Sequence, residues 1–229
     1  MQQYRCYGDD RNKGFCVHCG GPDETIDHVP SKVLLDEPYP ENLMAAPSCR
    51  KCNTSFSLDE EYLACFLECI VAGIADPEKT HRSKIARILR GNASLQARLQ
   101  NARSEVDGTP IWNPEFERIQ RVILKLARCH AAFELNEPML EEPAHLAIKP
   151  LSLMTADELF SFETHQAPVI WPEVGSRAMQ RILLSGMDLY AEGWLVVQEN
   201  NYRFQVHQAS GLTIKIVLRE YLGCEIVWD

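Results

Sequence analysis

The sequence lacks any apolar run long enough to cross a membrane. Its longest candidate, residues 64–75, contains Glu68 and Gly73 and is shorter than the roughly 18 residues that a spanning helix requires. The N-terminal residues 1–10 are polar and contain nothing like the apolar core of a secretory signal peptide. We therefore expect a cytoplasmic protein that does not bind a membrane.

The chain also has little positive charge, since 23 Lys and Arg residues stand against 32 Asp and Glu residues, for a formal net charge of −9. This balance disfavours indiscriminate nucleic-acid binding, because phosphate contacts depend on Lys and Arg. The positive residues are nevertheless concentrated between residues 79 and 103, and the acidic ones between 134 and 163. The basic segment is either a solvated helix face or a phosphate-binding surface, and its first members are Lys79, Arg82, Lys84 and Arg87.

The cysteines do not fit a secreted disulfide framework, because there are nine of them, an odd number. Four form two Cys-x-x-Cys pairs, and this spacing lets both thiolates of a pair reach one tetrahedral ion. The pairs predict a structural Zn²⁺ site made of Cys16, Cys19, Cys49 and Cys52. Four others have apolar neighbours and are expected to be small buried residues: Cys65, Cys69, Cys129 and Cys224.

Polar residues suited to hydrolytic chemistry lie between and beside the two cysteine pairs. The segments that carry the pattern are Cys16-Val-His-Cys19, Ile26-Asp27-His28-Val29-Pro30, Glu41-Asn42-Leu43 and Cys49-Arg-Lys-Cys52-Asn53. Together they resemble the HNH endonucleases of the ββα-metal class, in a zinc-stapled form with Asn in place of the last His. The resemblance covers about residues 13–72, and residues 77–229 suggest no family.

The resemblance implies hydrolysis of DNA phosphodiester bonds that leaves 5′-phosphate and 3′-hydroxyl ends. His28 would be the general base, because an imidazole with a pKa of about 6.5 can accept a proton from water near neutrality. Asp27 and Asn53 would hold a catalytic Mg²⁺ or Mn²⁺, hard cations that prefer oxygen ligands. Asn42 would tie down the connecting loop and orient the backbone at His28, which is support for catalysis and not direct participation.

Each of these four residues also has a simpler structural interpretation. Asp27 alone would usually be a solvated turn residue, and His28 alone would cap a strand or fill space beside the zinc ion. Asn42 is a common turn residue, and Asn53 is a common N-cap residue.

Three charged or titratable residues lie inside the cysteine pairs themselves. Arg50 and Lys51 separate Cys49 from Cys52, where they would either contact phosphate or point into solvent. His18 lies inside the first pair and is expected to be exposed.

We expect an α+β fold with an N-terminal zinc-stapled ββα-metal unit, a helical middle region and a C-terminal antiparallel β meander of three or four strands. The nuclease domain would comprise residues 1–75, and residues 76–229 would have a role in recognition, dimerisation or regulation. Capping-box patterns begin at Ser57 and Thr155. The predicted helices cover residues 57–72, 77–91, 93–105 and 114–137, and the predicted strands cover 25–29, 43–46, 189–198, 202–207, 212–219 and 224–228.

The leading hypothesis is a metal-dependent endonuclease that acts on DNA, with RNA not excluded as a substrate. The acidic balance suggests an enzyme directed by a regulatory protein partner or a homodimer mate, for example a defence effector. The alternative is a non-catalytic zinc-ribbon module that binds nucleic acid or protein. A redox role for the Cys-x-x-Cys pairs is disfavoured, because no βαβ unit surrounds them.

Overall fold

A computed structural model describes residues 14–40, 43–164, 193–208 and 210–229. Contacts divide the chain into two compact units, one drawn from residues 1–54 and 123–229 and the other from residues 55–122. The two divisions, after residue 54 and after residue 122, differ from the predicted domain boundary between residues 75 and 76. The reason is that the helix beginning at Ser57 packs against the two helices that follow it. The helices are α1 (Arg50–Ser55), α2 (Ser57–Ala72), α3 (Ser83–Gly91), α4 (Ala93–Asn101), α5 (Phe116–Leu135) and α6 (Ala156–Glu163).

Within the described residues the strands form three antiparallel sheets, which agrees with the expected mixture of α and β structure. The described strands are β1 (Thr25–Val29), β2 (Met44–Ser48), β3 (Arg103–Val106), β4 (Thr109–Trp112), β5 (His145–Pro150), β6 (Leu195–Gln198), β7 (Tyr202–Gln208), β8 (Leu212–Leu218) and β9 (Leu222–Trp228). Two of the sheets are two-stranded hairpins, β1–β2 and β3–β4. The third sheet has five strands in the order β5-β9-β8-β7-β6.

The hairpin β1–β2 belongs to the first unit and is followed directly by α1. In its register Asp27 lies opposite Ala46, and His28 lies opposite Ala45. The predicted limits of β1 are confirmed, whereas β2 lies one or two residues later than predicted. The hairpin buries two residues of β1 and four of β2.

The five-stranded sheet confirms the antiparallel meander at the C-terminus and adds a strand to it. Strands β6 to β9 follow one another through short turns. Most positions of β7 and β8 are buried on both faces, as expected for central strands that are covered on both sides. The added strand is β5, which lies where no strand was predicted and pairs with β9 at an edge of the sheet. The predicted strand at 189–198 begins at Leu195 among the described residues, and its positions 189–192 lie outside them.

The second unit is mostly helical and confirms the predicted helix α2, which ends at Ala72 and is capped by Gly73 with a φ of 70°. The next helix begins at Ser83 and not at Pro77, because the buried Glu68 carboxylate accepts hydrogen bonds from the backbone N–H groups of His81 and Arg82, at 2.7 and 3.2 Å. The helix predicted over 93–105 ends at Asn101, and a β-hairpin follows it. Its turn is Asp107-Gly108, with φ values of 50° and 77°.

No helix among the residues that the structure describes is both long and apolar enough to cross a membrane.

Candidate metal centre

The four predicted zinc ligands lie together in the first unit. The Sγ atoms of Cys16, Cys19, Cys49 and Cys52 all lie within 4.8 Å of one another. A tetrahedral zinc ion with bonds of about 2.3 Å separates its sulfur ligands by roughly 3.8 Å, and the Sγ atoms of Cys19 and Cys49 are 3.8 Å apart. The cluster therefore fits a Zn²⁺ ion bound by four thiolates.

Backbone amides support the sulfur atoms of both pairs. The N–H of His18 donates to Cys16 Sγ at 3.4 Å, and the N–H of Cys52 donates to Cys49 Sγ at 3.3 Å. Burial raises the pKa of Cys16, but backbone hydrogen bonds from Cys49 and His18 outweigh it and lower that pKa to about 6. Burial and the neighbouring thiols raise the pKa of Cys52. Four thiols this close resist ionising together, so a bound cation is what lets all four act as thiolates.

The hairpin brings the two cysteine pairs together, although they are 30 residues apart in sequence. Glu24 N–H donates to the carbonyl of Ser48 at 3.1 Å, which extends the hairpin beyond β1 toward the second pair. The carboxylate of Glu24 then accepts from the N–H of Arg50 at 3.0 Å, at the start of α1. Val17 N–H donates to the carbonyl of Pro47 at 3.1 Å and fixes the first pair against β2.

Asp27 is buried and its carboxylate is bonded on both sides. Its Oδ1 accepts a hydrogen bond from the ammonium of Lys125 at 2.8 Å, and its Oδ2 lies 3.3 Å from His18 Nε2. Lys125 is itself buried and also donates to Ser31 Oγ at 3.0 Å. Burial raises the pKa of Asp27, but His18 and Lys125 outweigh it and lower that pKa, so the carboxyl is ionised.

These surroundings do not suit a Mg²⁺ or Mn²⁺ ion at Asp27. Such ions take shells of oxygen ligands, whereas the groups beside Asp27 are an ammonium, an imidazole nitrogen and the thiol of Cys129. The ammonium of Lys125 supplies the positive charge that a hard cation would otherwise provide. No catalytic step is therefore assigned to such an ion at Asp27.

His28 lies on the opposite face of β1 from Asp27, because neighbouring side chains of a strand point to opposite sides. The burial pattern agrees, with Asp27 and Val29 buried, Ile26 exposed and His28 half-buried. Partial burial lowers the pKa of His28, and the positive charges of Lys32 and Lys125 lower it further against the opposing effect of Asp27. The imidazole is therefore neutral near neutral pH and able to accept a proton.

Asn53 lies on α1 beside the start of β1. Its Nδ2 donates to Thr25 Oγ1 at 3.1 Å and lies 3.4 Å from the carbonyl oxygen of Ile26. These bonds tie the helix to the strand that carries Asp27 and His28. Asn42, the other predicted asparagine, lies outside the described residues.

The predicted nucleic-acid-binding residues fall in both units. Arg50 and Lys51 are exposed on α1 in the first unit, as is required for contact with either phosphate or solvent. The remaining four belong to the second unit, where Lys79 and Arg87 are exposed and Arg82 and Lys84 are half-buried.

Sequence reasoning missed the residues that surround Asp27, and it was wrong about His18. His18 is only 8% exposed, because its ring turns inward toward Asp27 and Cys129. One signal was present in the sequence, since Lys125 interrupts the apolar face of α5 between Val122 and Cys129. A lysine on the buried face of a helix indicates a buried acidic partner, although the periodicity does not identify that partner.

Comparison of the chain with protein-family models, with curated proteins and with solved structures found no match.

Proposed function

We propose that this chain is an HNH-type endonuclease that hydrolyses phosphodiester bonds in DNA, with His28 as its general base. The observation that carries the proposal is the position of His28, half-buried on the outer face of a hairpin that the clustered cysteines tie to helix α1. A zinc ion there would hold the strand rigidly without taking part in the reaction. A rigid strand fixes the direction in which the imidazole points, which is what a general base requires.

The charge near His28 also supports this role. Lys32 is close enough to lower the pKa of His28, and its ammonium would attract a phosphate group toward the imidazole. In the proposal Arg50 and Lys51 add contacts to the DNA backbone. The basic residues of the second unit provide further phosphate contacts, and they are Lys79, Arg82, Lys84 and Arg87.

The resemblance to HNH endonucleases implies a Mg²⁺ or Mn²⁺ ion held by Asp27 and Asn53. Because Asp27 is bonded to Lys125, our mechanism relies only on the residues of the chain. The imidazole of His28 removes a proton from a water molecule, whose oxygen attacks phosphorus while the P–O3′ bond breaks. The departing 3′ oxygen takes a proton from solvent, and the ammonium of Lys32 offsets the charge that develops on the phosphoryl group. The plasmid assay below measures whether cleavage requires a divalent ion.

The test is cleavage of supercoiled plasmid by the purified zinc-containing protein, with added Mg²⁺, Mn²⁺ or Zn²⁺ and with a brief EDTA treatment as the metal-free arm. We expect nicking or linearisation that falls about 10²-fold or more in His28→Ala, because the general base is lost. The matched control is His145→Ala, which removes an exposed histidine from β5. Equal cleavage by wild type and His28→Ala would contradict the mechanism.

The second candidate function is a zinc-binding module without catalysis, and the bond between Asp27 and Lys125 favours it. A buried ion pair explains why an acidic residue stands next to His28 without any need for chemistry. This alternative predicts that DNA or a protein partner binds while no plasmid is cleaved under any metal. It also predicts that His28→Ala leaves binding unchanged, whereas Cys49→Ser abolishes it.

A further inference from the structure

Three side chains from distant parts of the first unit point at one buried position. They are His18 between the first two cysteines, Asp27 on β1 and Cys129 on α5. Their ligand atoms all lie within 4.8 Å of one another, and all three residues are buried. None of the three belongs to the cluster of four cysteines.

The distances within this group match those around a tetrahedral ion. Bonds of about 2.0 to 2.3 Å put a nitrogen and an oxygen ligand roughly 3.3 Å apart, and a nitrogen and a sulfur ligand roughly 3.6 Å apart. His18 Nε2 is 3.3 Å from Asp27 Oδ2 and 3.7 Å from Cys129 Sγ. The first distance is longer than an ordinary charge-assisted hydrogen bond of about 2.7 to 2.9 Å, which is a poor fit to a simple His–Asp pair.

The two carboxylate oxygens of Asp27 have different partners. Oδ1 accepts from Lys125, and Oδ2 faces His18. A carboxylate that binds a metal through one oxygen commonly accepts a hydrogen bond on the other, which fixes its orientation. Lys125 is bonded to the oxygen that does not face His18, and its positive charge weakens the binding of a cation at the other oxygen.

We propose that His18, Asp27 and Cys129 form a second metal site, which takes a borderline divalent ion, Zn²⁺. The donor set of one nitrogen, one oxygen and one sulfur selects such an ion over Mg²⁺ or Mn²⁺. Water completes the four ligands. Because the site is buried, its role is structural, and it joins α5 to the first cysteine pair and to β1.

This second site goes beyond the proposed nuclease function and does not depend on it. Metal binding is measured without any cleavage assay, so the two proposals can fail separately. The charge of Lys125 also predicts an order of affinity, in which the four cysteines hold their ion more tightly than the second site does.

The test is a Co²⁺ titration of the protein that retains zinc at its four cysteines, under reducing conditions, with both metals counted per chain. Wild type is expected to bind one additional Co²⁺ per chain, with a thiolate-to-cobalt charge-transfer band and no loss of zinc. Cys129→Ser keeps the size of the side chain and is expected to lose that band and at least 10-fold in affinity. Cys65→Ser, which changes a buried cysteine of the second unit, is the matched control and is expected to behave as wild type.

Retention of one zinc per chain in Cys129→Ser reports that the cysteine cluster is still folded. A second variant, His18→Ala, removes the nitrogen ligand and is expected to lose the additional Co²⁺ as well. The proposal is overturned if wild type binds no additional Co²⁺, if Co²⁺ only replaces the zinc, or if the band survives in Cys129→Ser.

Discussion

The cysteine-held segment around residues 14–54 and the five-stranded sheet from β5 to β9 belong to the same compact unit but are stabilised differently. The buried residues of the segment are mostly small or lie in loops, including Ala45, Ala46 and Ser48 of β2. The sheet instead buries large side chains along β7 and β8, among them Tyr202, Phe204 and Ile216. A metal ion at the four cysteines would add to the order of this segment, whereas the sheet depends on the hydrophobic effect.

This difference also explains where each region can carry chemistry. A strand beside a metal-binding cluster would be able to leave one face half-exposed, as β1 does at His28. Strands held by hydrophobic burial must keep their inner faces dry, as Ile214 and Ile216 do on β8. The candidate general base therefore lies on the half-exposed face of β1.

The largest expected effect comes from removing a zinc ligand with Cys49→Ser. Structural zinc sites in small domains bind with about 10–16 kcal/mol, so losing one thiolate forfeits much of the free energy that orders this segment. We expect the zinc content to fall and hydrogen exchange to accelerate in residues 14–54, while β7 to β9 keep most of their protection. Full zinc content with unchanged exchange would show that these cysteines do not hold the ion.

A hydrophobic truncation in the sheet should give the opposite result. Ile216 is 0% exposed, and Ile216→Ala is expected to lower the free energy of unfolding by about 2–5 kcal/mol in chemical denaturation while the zinc content stays at the wild-type value. The control is Val196→Ala on the edge strand β6, where the side chain is 48% exposed and the expected change is within about 0.5 kcal/mol. Zinc loss in Ile216→Ala would erase the distinction between the two regions.

The smallest expected effect concerns an ion pair at the edge of the sheet. A hydrogen bond from Lys149 of β5, followed by one from the backbone of Thr155, lowers the pKa of Glu158 below its unfolded value of about 4.3. A lowered carboxyl pKa stabilises the fold above the unfolded value, and this contribution is lost as the pH falls through the folded value. Glu158→Gln should therefore melt slightly below wild type at neutral pH, and the difference should disappear in acid.

The control for this change is Glu199→Gln, which alters an exposed turn residue of the same unit. Acid also releases zinc by protonating thiolates, so the comparison is between variant and wild type at each pH. A melting difference that persists unchanged at low pH would contradict the assigned role of the Glu158 carboxylate.

Sequence signals predicted local structure well where the backbone conformation depends only on neighbouring residues. The capping box at Thr155 forms, because Thr155 is extended with a ψ of 164° and its side chain can reach the N–H of Glu158. The similar sequence at Ser57 does not form a capping box. Phe56 has helical dihedrals there, and its carbonyl accepts hydrogen bonds from the N–H groups of Asp59 and Glu60. The hairpin at Asp107-Gly108 was overlooked, although this dipeptide favours two-residue turns with positive φ.

Long-range pairing was much harder to predict. The strand β5 has an exposed first residue, ends in Pro150 and pairs with β9 more than 70 residues later. Such an edge strand has little local pattern, because its partner and not its own sequence completes its hydrogen bonds.

The sequence by itself determined the cysteine cluster and the strand that carries His28. Cys-x-x-Cys spacing brings the two thiolates of a pair close together, and the alternation of side chains along a strand places Asp27 and His28 on opposite faces. Only the tertiary structure decided what surrounds Asp27, since Lys125 and Cys129 reach it from a helix about 100 residues away. The chemistry of a buried carboxylate depends on the charges within a few ångströms, and those neighbours are assembled by folding and not by adjacency in the chain.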